Sequence, residues 1–216
     1  MTTIVAILSC VLYTVSLFSH WNSYWITSLV KLILLGVLPL CYLLKNKENL
    51  KRILMLQDKS TIKIPALLGA GCCLFIWVGY GLLCRFFDSE QILAGLSAQA
   101  ITKSVYPFVF IHIVLVNSFL EEFFFRGFLF RNLYLNGNKT YAYLFSSVLF
   151  ALYHIGIFQS WFSVPMVLFF LIGLAFSGIF FCEVDRRCQN IYGGWLIHLG
   201  ANVGINVIGA CLFYLN

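Results

Sequence analysis

This sequence has little charge. Only 10% of its 216 residues are Asp, Glu, Lys or Arg, where soluble domains carry about a quarter. With 61% hydrophobic residues and a mean hydropathy of +0.91, that scarcity excludes an ordinary soluble domain and points to a polytopic membrane protein. CxxC pairs are missing, so the eight cysteines (Cys10, Cys41, Cys72, Cys73, Cys84, Cys182, Cys188 and Cys211) suggest neither a zinc ribbon nor a disulfide framework. Most lie in apolar runs and read as small packing residues. The zinc-protease signature HExxH is absent. No internal repeat or low-complexity linker divides the chain, which reads as one membrane domain over 1–216. Residues 1–19 lack a basic start and a small-residue cleavage site, so they read as a retained first helix. The net charge of +6 gives no reason to expect a nucleic-acid partner.

What is present is a set of apolar runs near 3–20, 23–44, 64–84, 105–130, 140–157, 163–182 and 191–214. A bilayer core needs about 20 apolar residues per helix. The expected fold is therefore all-α, a membrane bundle of about seven helices with room for a short eighth. The fourth run is longer than a bilayer requires, which predicts tilt, bending or projection. Basic residues concentrate in alternate connections: Lys45, Lys47, Lys51, Arg52, Lys59 and Lys63, then Arg131 and Lys139, then Arg186 and Arg187. The positive-inside rule then puts the N-terminus in the cytoplasm and the C-terminus outside. Lys31, inside the second run, reads as snorkelling to the outer interface. The outward connection 85–104 is weakly amphipathic and reads as a surface helix, a lid or an ordinary loop.

Ionisable groups at bilayer depth cost several kcal/mol, about 2.5–3.5 on insertion scales, unless paired or wet. In "NSFLEEFFFRGFLF", residues 117–130, Glu122 and Arg126 are four apart and can pair on one helix face. Glu121 points about 100° away and is left without that partner, which frees it for chemistry. The turn "NGN" at 136–138 follows. Glu121 is 16 residues before Gly137 and His154 is 17 after it, so an antiparallel hairpin brings the two to similar depth. Phe150, one turn before His154, shares its face and shapes the pocket wall. In "IHLGAN", His198 and Asn202 share a face, shallower than the hairpin pair if all helices are straight. His20 and His112 read as structural, the first interfacial and the second without an assignable partner.

One glutamate, two histidines and an asparagine around a wet cavity admit two hydrolytic uses. A divalent metal such as zinc could be held by Glu121, His154 and His198 with one position left for water. Alternatively, Glu121 activates water directly while His198 and Asn202 donate to an oxyanion. Spacing does not choose between them.

The ordered motifs EExxxR (Glu121, Glu122, Arg126), FxxxH (Phe150, His154) and HxxxN (His198, Asn202) resemble those of the CAAX-protease and bacteriocin-processing family of intramembrane proteases, the Abi family. They place its catalytic core within 105–214. The resemblance implies a peptide hydrolase in which Glu121 activates water, His154 assists or binds metal, and His198 and Asn202 form the oxyanion site. Glu122, Arg126 and Phe150 then support these four. It further implies a multi-pass plasma-membrane protein, bacterial given its short loops, acting on a membrane-associated or small hydrophobic peptide; bacteriocin processing is one such role. Two other classes compete: a non-catalytic scaffold, immunity or regulatory protein working through a membrane partner, and a proton-coupled transporter. The missing inverted repeat weighs against the last.

Overall fold

The computed structural model describes residues 1–18, 23–48, 50–56, 58–159 and 161–215, and these are helices and their connections without a strand. The main helices are α1 (Thr2–Leu17), α2 (Tyr24–Lys45), α3 (Lys59–Phe86), α4 (Ser89–Ala98), α5 (Tyr106–Asn136), α6 (Lys139–Phe158), α7 (Val164–Cys188) and α8 (Tyr192–Tyr214). Six of them, α2, α3 and α5 to α8, are long and apolar enough to cross a membrane, and α1 is apolar but shorter at 16 residues. The chain is a multi-pass membrane protein. All seven expected runs are helices. The eighth helix, α4, falls in the connection 85–104; Asp88 caps it by accepting from the Gln91 N–H at 3.0 Å. His20 lies outside the described residues.

Lipid-facing and buried helices differ in how their apolar residues are distributed. On α3, Leu67, Phe75 and Leu82 are each more than 70% exposed, as a bilayer-facing surface requires. By contrast every residue from Phe123 to Phe130 is buried, because this part of α5 runs through the middle of the bundle and its one charge, Arg126, is paired with Glu122. Its 31 residues include two π-helical stretches, His112–Asn117 and Phe123–Phe130, and α2 has another at Leu32–Val37. Part of the extra length is thus taken up by irregular winding.

The connections gather at two ends. At one, the Tyr192 hydroxyl donates to the Leu54 carbonyl (2.8 Å) and the Ile191 N–H to Ile53 (3.4 Å), joining the basic connection 45–63 to the start of α8. At the other, the Tyr24 N–H donates to Gln99 (2.9 Å) and the Tyr214 hydroxyl to Lys103 (2.5 Å). Helix α1 reaches both, since Thr2 bonds Tyr42 near the end of α2 while Leu17 packs on Gly156 near the end of α6. Leaving aside the short α4, successive helices therefore alternate in direction.

Helices α3 and α8 lie backbone to backbone. A Cβ on Gly200 would collide with the Gly69 carbonyl, so only glycine permits this approach. Nothing stands within 4 Å of a Cβ on Gly71. Gly200→Ala should therefore lower stability by about 1–3 kcal/mol through overpacking, whereas Gly71→Ala should be neutral or stabilising by up to about 1 kcal/mol. Thermal unfolding of both variants in one detergent checks this.

Candidate functional site

The two glutamates sit side by side on α5 and face different partners. Glu121 and Glu122 are 1% and 0% exposed, and adjacent helical residues diverge by about 100°. Glu122 Oε1 is 3.3 Å from Arg126 Nη1, one turn on, as the spacing predicts. The guanidinium also lies over the Phe150 ring at 4.2 Å and the Phe181 ring at 5.0 Å, contacts that suit a weakly hydrated planar cation.

Glu121 is paired as well, which corrects the expectation that it stands free. Its Oε1 accepts from Lys31 Nζ at 2.5 Å, from Asn117 Nδ2 at 3.0 Å and from the Tyr153 hydroxyl at 3.3 Å. Lys31 also donates to Asn117 Oδ1. The lysine does not snorkel. It is 4% exposed, with the rings of Tyr13 and Tyr153 about 5 Å away. The cost of a buried carboxylate explains the inward turn, because an ammonium in contact offsets it. The second oxygen, Oε2, has no hydrogen-bond partner among the described residues.

Both histidines reach that oxygen. His154 Nε2 is 3.9 Å and His198 Nε2 is 3.6 Å from Glu121 Oε2. The depth argument for His154 thus holds. For His198, the gap in depth that straight helices would leave is closed because α8 is drawn against α5. The Trp195 indole donates to Ser118 Oγ at 3.0 Å, and Gly194 brings the α8 backbone against Glu122, where a Cβ would stand 2.9 Å from Oε2. Hydrogen bonds fix both rings. His154 Nδ1 lies 2.8 Å from the Phe150 carbonyl and must donate to it; His198 Nδ1 lies 2.8 Å from Glu122 Oε1. In the neutral rings both Nε2 atoms are therefore acceptors. Three acceptors, Glu121 Oε2 and the two Nε2 atoms, face one another. Phe150 contacts both imidazoles edge-on, at 4.8 and 6.0 Å between centroids, so it does shape the wall.

Asn202 sits one turn beyond His198, and its amide donates to the Ile113 carbonyl at 3.3 Å. That carbonyl belongs to the π-helical stretch of α5, one turn before Asn117. His112 has a partner after all, the Tyr24 hydroxyl at 2.7 Å. Lys31, Asn117 and Tyr153 were not singled out as site residues from sequence, and neither was Asp185. Asp185 is buried on α7 and accepts from the Gly194 N–H at 2.6 Å, adding a third carboxylate beside Glu122. Lys31 carried a signal, being a cation inside an apolar run; the others are unremarkable in sequence.

A cavity of about 200 Å³ opens between α2 and α5. Trp25, Leu29, Leu32 and Val116, exposed towards lipid, line its mouth, while Lys31 and Asn117 lie deeper. A metal fits this site poorly. Among the described residues no three His, Cys, Asp or Glu side chains are grouped to hold one. The Lys31 ammonium already occupies the same carboxylate, and would repel a second cation there.

Residues 103–204 match the sequence model of a family described as Rce1-like, Type II CAAX prenyl endopeptidase Rce1-like. All seven motif residues from Glu121 to Asn202 lie within that segment, and Lys31 lies outside it. No curated protein and no solved structure matches.

Arg126→Met strands Glu122 and should cost about 3–5 kcal/mol, the price of an uncompensated buried charge. Combining it with Glu122→Gln should recover at least half of that loss. Unfolding of both variants in the same detergent measures the difference.

Proposed function

We infer that this chain, which belongs over residues 103–204 to the Rce1-like type II CAAX prenyl endopeptidase family, is an intramembrane protease that hydrolyses a peptide bond of a membrane-associated or small hydrophobic peptide. The observation that carries the reading is the convergence of Glu121 Oε2 with two imidazole Nε2 atoms. Three acceptors facing one another call for a donor, and water is the donor that hydrolysis needs.

Water bound there gives one proton to Glu121 Oε2, with His154 Nε2 orienting it. The hydroxide attacks the peptide carbonyl carbon. Its oxygen becomes an oxyanion within reach of α8, where Asn202 Nδ2 can exchange its long bond to Ile113 for the stronger charge. His198 Nε2, 3.6 Å from Glu121 Oε2, borders the same position. Collapse of the tetrahedral adduct breaks the C–N bond, and the proton held by Glu121 passes to the leaving amine. The apolar mouth of the gap between α2 and α5 suits a hydrophobic segment arriving from the bilayer, and Lys31 and Asn117 in its lining contact Glu121.

The Lys31 charge beside Glu121 disfavours a metal on that carboxylate. Zinc held by Glu121, His154 and His198 is the alternative source of activated water.

The test compares peptide termini in membranes and medium of cells carrying wild type or Glu121→Gln at matched protein level. A terminus seen only with wild type is expected. Rescue of a deletion phenotype by Glu121→Gln, with no terminus changed, would mean the protein works by binding a partner. With the peptide in hand, His154→Ala should lower turnover by about 10²–10⁴-fold, and a chelator should leave the wild-type rate within about twofold. Loss of activity on chelation, restored by added zinc, would favour the metal route.

A further inference from the structure

We propose that Lys31, contributed by α2 and outside the segment that matches the family, is a positioning residue for Glu121; this rests on the hydrolytic reading above. The two oxygens of Glu121 have opposite surroundings. Three donors, Lys31 Nζ, Asn117 Nδ2 and the Tyr153 hydroxyl, all bind Oε1. None binds Oε2, which faces His154 and His198. A carboxylate tied this way cannot turn about its last bond without breaking all three contacts at once. Its free lone pairs are therefore held towards the imidazoles.

Charge balance alone does not require this arrangement. A lysine that only neutralised Glu121 could sit against either oxygen, and on Oε2 it would occupy the place where water must bind. Lys31 instead takes the far oxygen, and it is itself aimed. Asn117 accepts from its ammonium and donates to the same Oε1, closing a ring of three side chains from α2 and one face of α5. The stacked rings of Tyr13 and Tyr153 lie together on one side of the ammonium. At the two anchors the winding is irregular: Lys31 stands at the start of one π-helical stretch and Asn117 at the end of another, a feature frequent at functional sites.

Full-length protein in phosphatidylcholine–phosphatidylglycerol vesicles provides the first test, by infrared spectroscopy. Subtracting the Glu121→Gln spectrum isolates the Glu121 carboxylate. Wild type should show an ionised carboxylate with widely separated stretching modes, as expected when one oxygen takes the donors. Lys31→Met should lose that pattern and Lys31→Arg should keep it. An unchanged band in Lys31→Met overturns the proposal whether or not the protein cleaves anything.

The second readout uses the peptide whose terminus depends on Glu121. Lys31→Met should lower kcat by about 10²-fold, the scale of a 1 Å misplacement, with KM changed less than about threefold. Lys31→Arg should recover to within about tenfold of wild type. Should Lys31→Met fail to fold, Asn117→Leu decides, since it keeps every charge. It should lower kcat by about tenfold and narrow the mode separation, and wild-type behaviour in both overturns the proposal. If no Glu121-dependent terminus exists, the hydrolytic reading falls and the role of Lys31 in it falls too. An unchanged infrared band removes Lys31 alone.

Discussion

Two adjacent carboxylates buried in an apolar bundle must each be given a cation, and much of the architecture follows from where those cations come from. Arg126 serves Glu122 from the same helix. Lys31 serves Glu121 from α2, ninety residues away in sequence. The first pair is available as soon as α5 forms; the second exists only once α2 has packed beside it. Isolated charges at this depth cost several kcal/mol each, so assembly of the helices and neutralisation of the site are one event. Histidines from α6 and α8 then complete a cluster to which four spanning helices contribute.

The segment that matches the family, 103–204, is therefore not electrostatically closed. It contains Glu121, Glu122 and Asp185, but of the buried cations that face them only Arg126 lies inside it. Lys31 supplies the cation for Glu121. A first half of the chain that reads in sequence as generic lipid-facing helix thus holds a charge on which the second half depends. Tyr13 of α1, beside the ammonium and stacked on Tyr153 at 5.1 Å, extends the same dependence to the N-terminal helix.

The helices were legible because each apolar run is long and the turn residues are clear; Asn138, in the turn used to count depth, caps α6 through the Tyr141 N–H. Glu122–Arg126 was legible because local spacing decides it, and Glu121–His154 because a hairpin equates depth with distance from the turn. The failures share a cause. Lys31, Asp185 and the level of His198 depend on how separate helices tilt and how closely they approach, and no periodicity within one helix encodes that. Glycines set the approach at Gly194 and between Gly69 and Gly200, but the sequence does not say which of its 16 glycines meet another backbone. Reading Lys31 as snorkelling applies the rule that a long cation escapes the bilayer. The same energetic rule, applied to Glu121 at the same time, asks for an inward partner instead.

Fixing Glu121 by one oxygen also accounts for why Glu122 is needed beside it. His198 is held by Glu122 through Nδ1 and turned towards Glu121 through Nε2. The two acids therefore act on the same ring from opposite edges, one orienting it and the other sharing its task. If Glu122 moved, His198 would lose its anchor; if Arg126 moved, Glu122 would lose its counter-charge. Arg126 in turn lies on Phe150, whose backbone carbonyl fixes the tautomer of His154. The EExxxR and FxxxH motifs are thus one mechanical unit: the arginine of the first rests on the phenylalanine of the second, and together they set the orientation of both imidazoles around Glu121 Oε2.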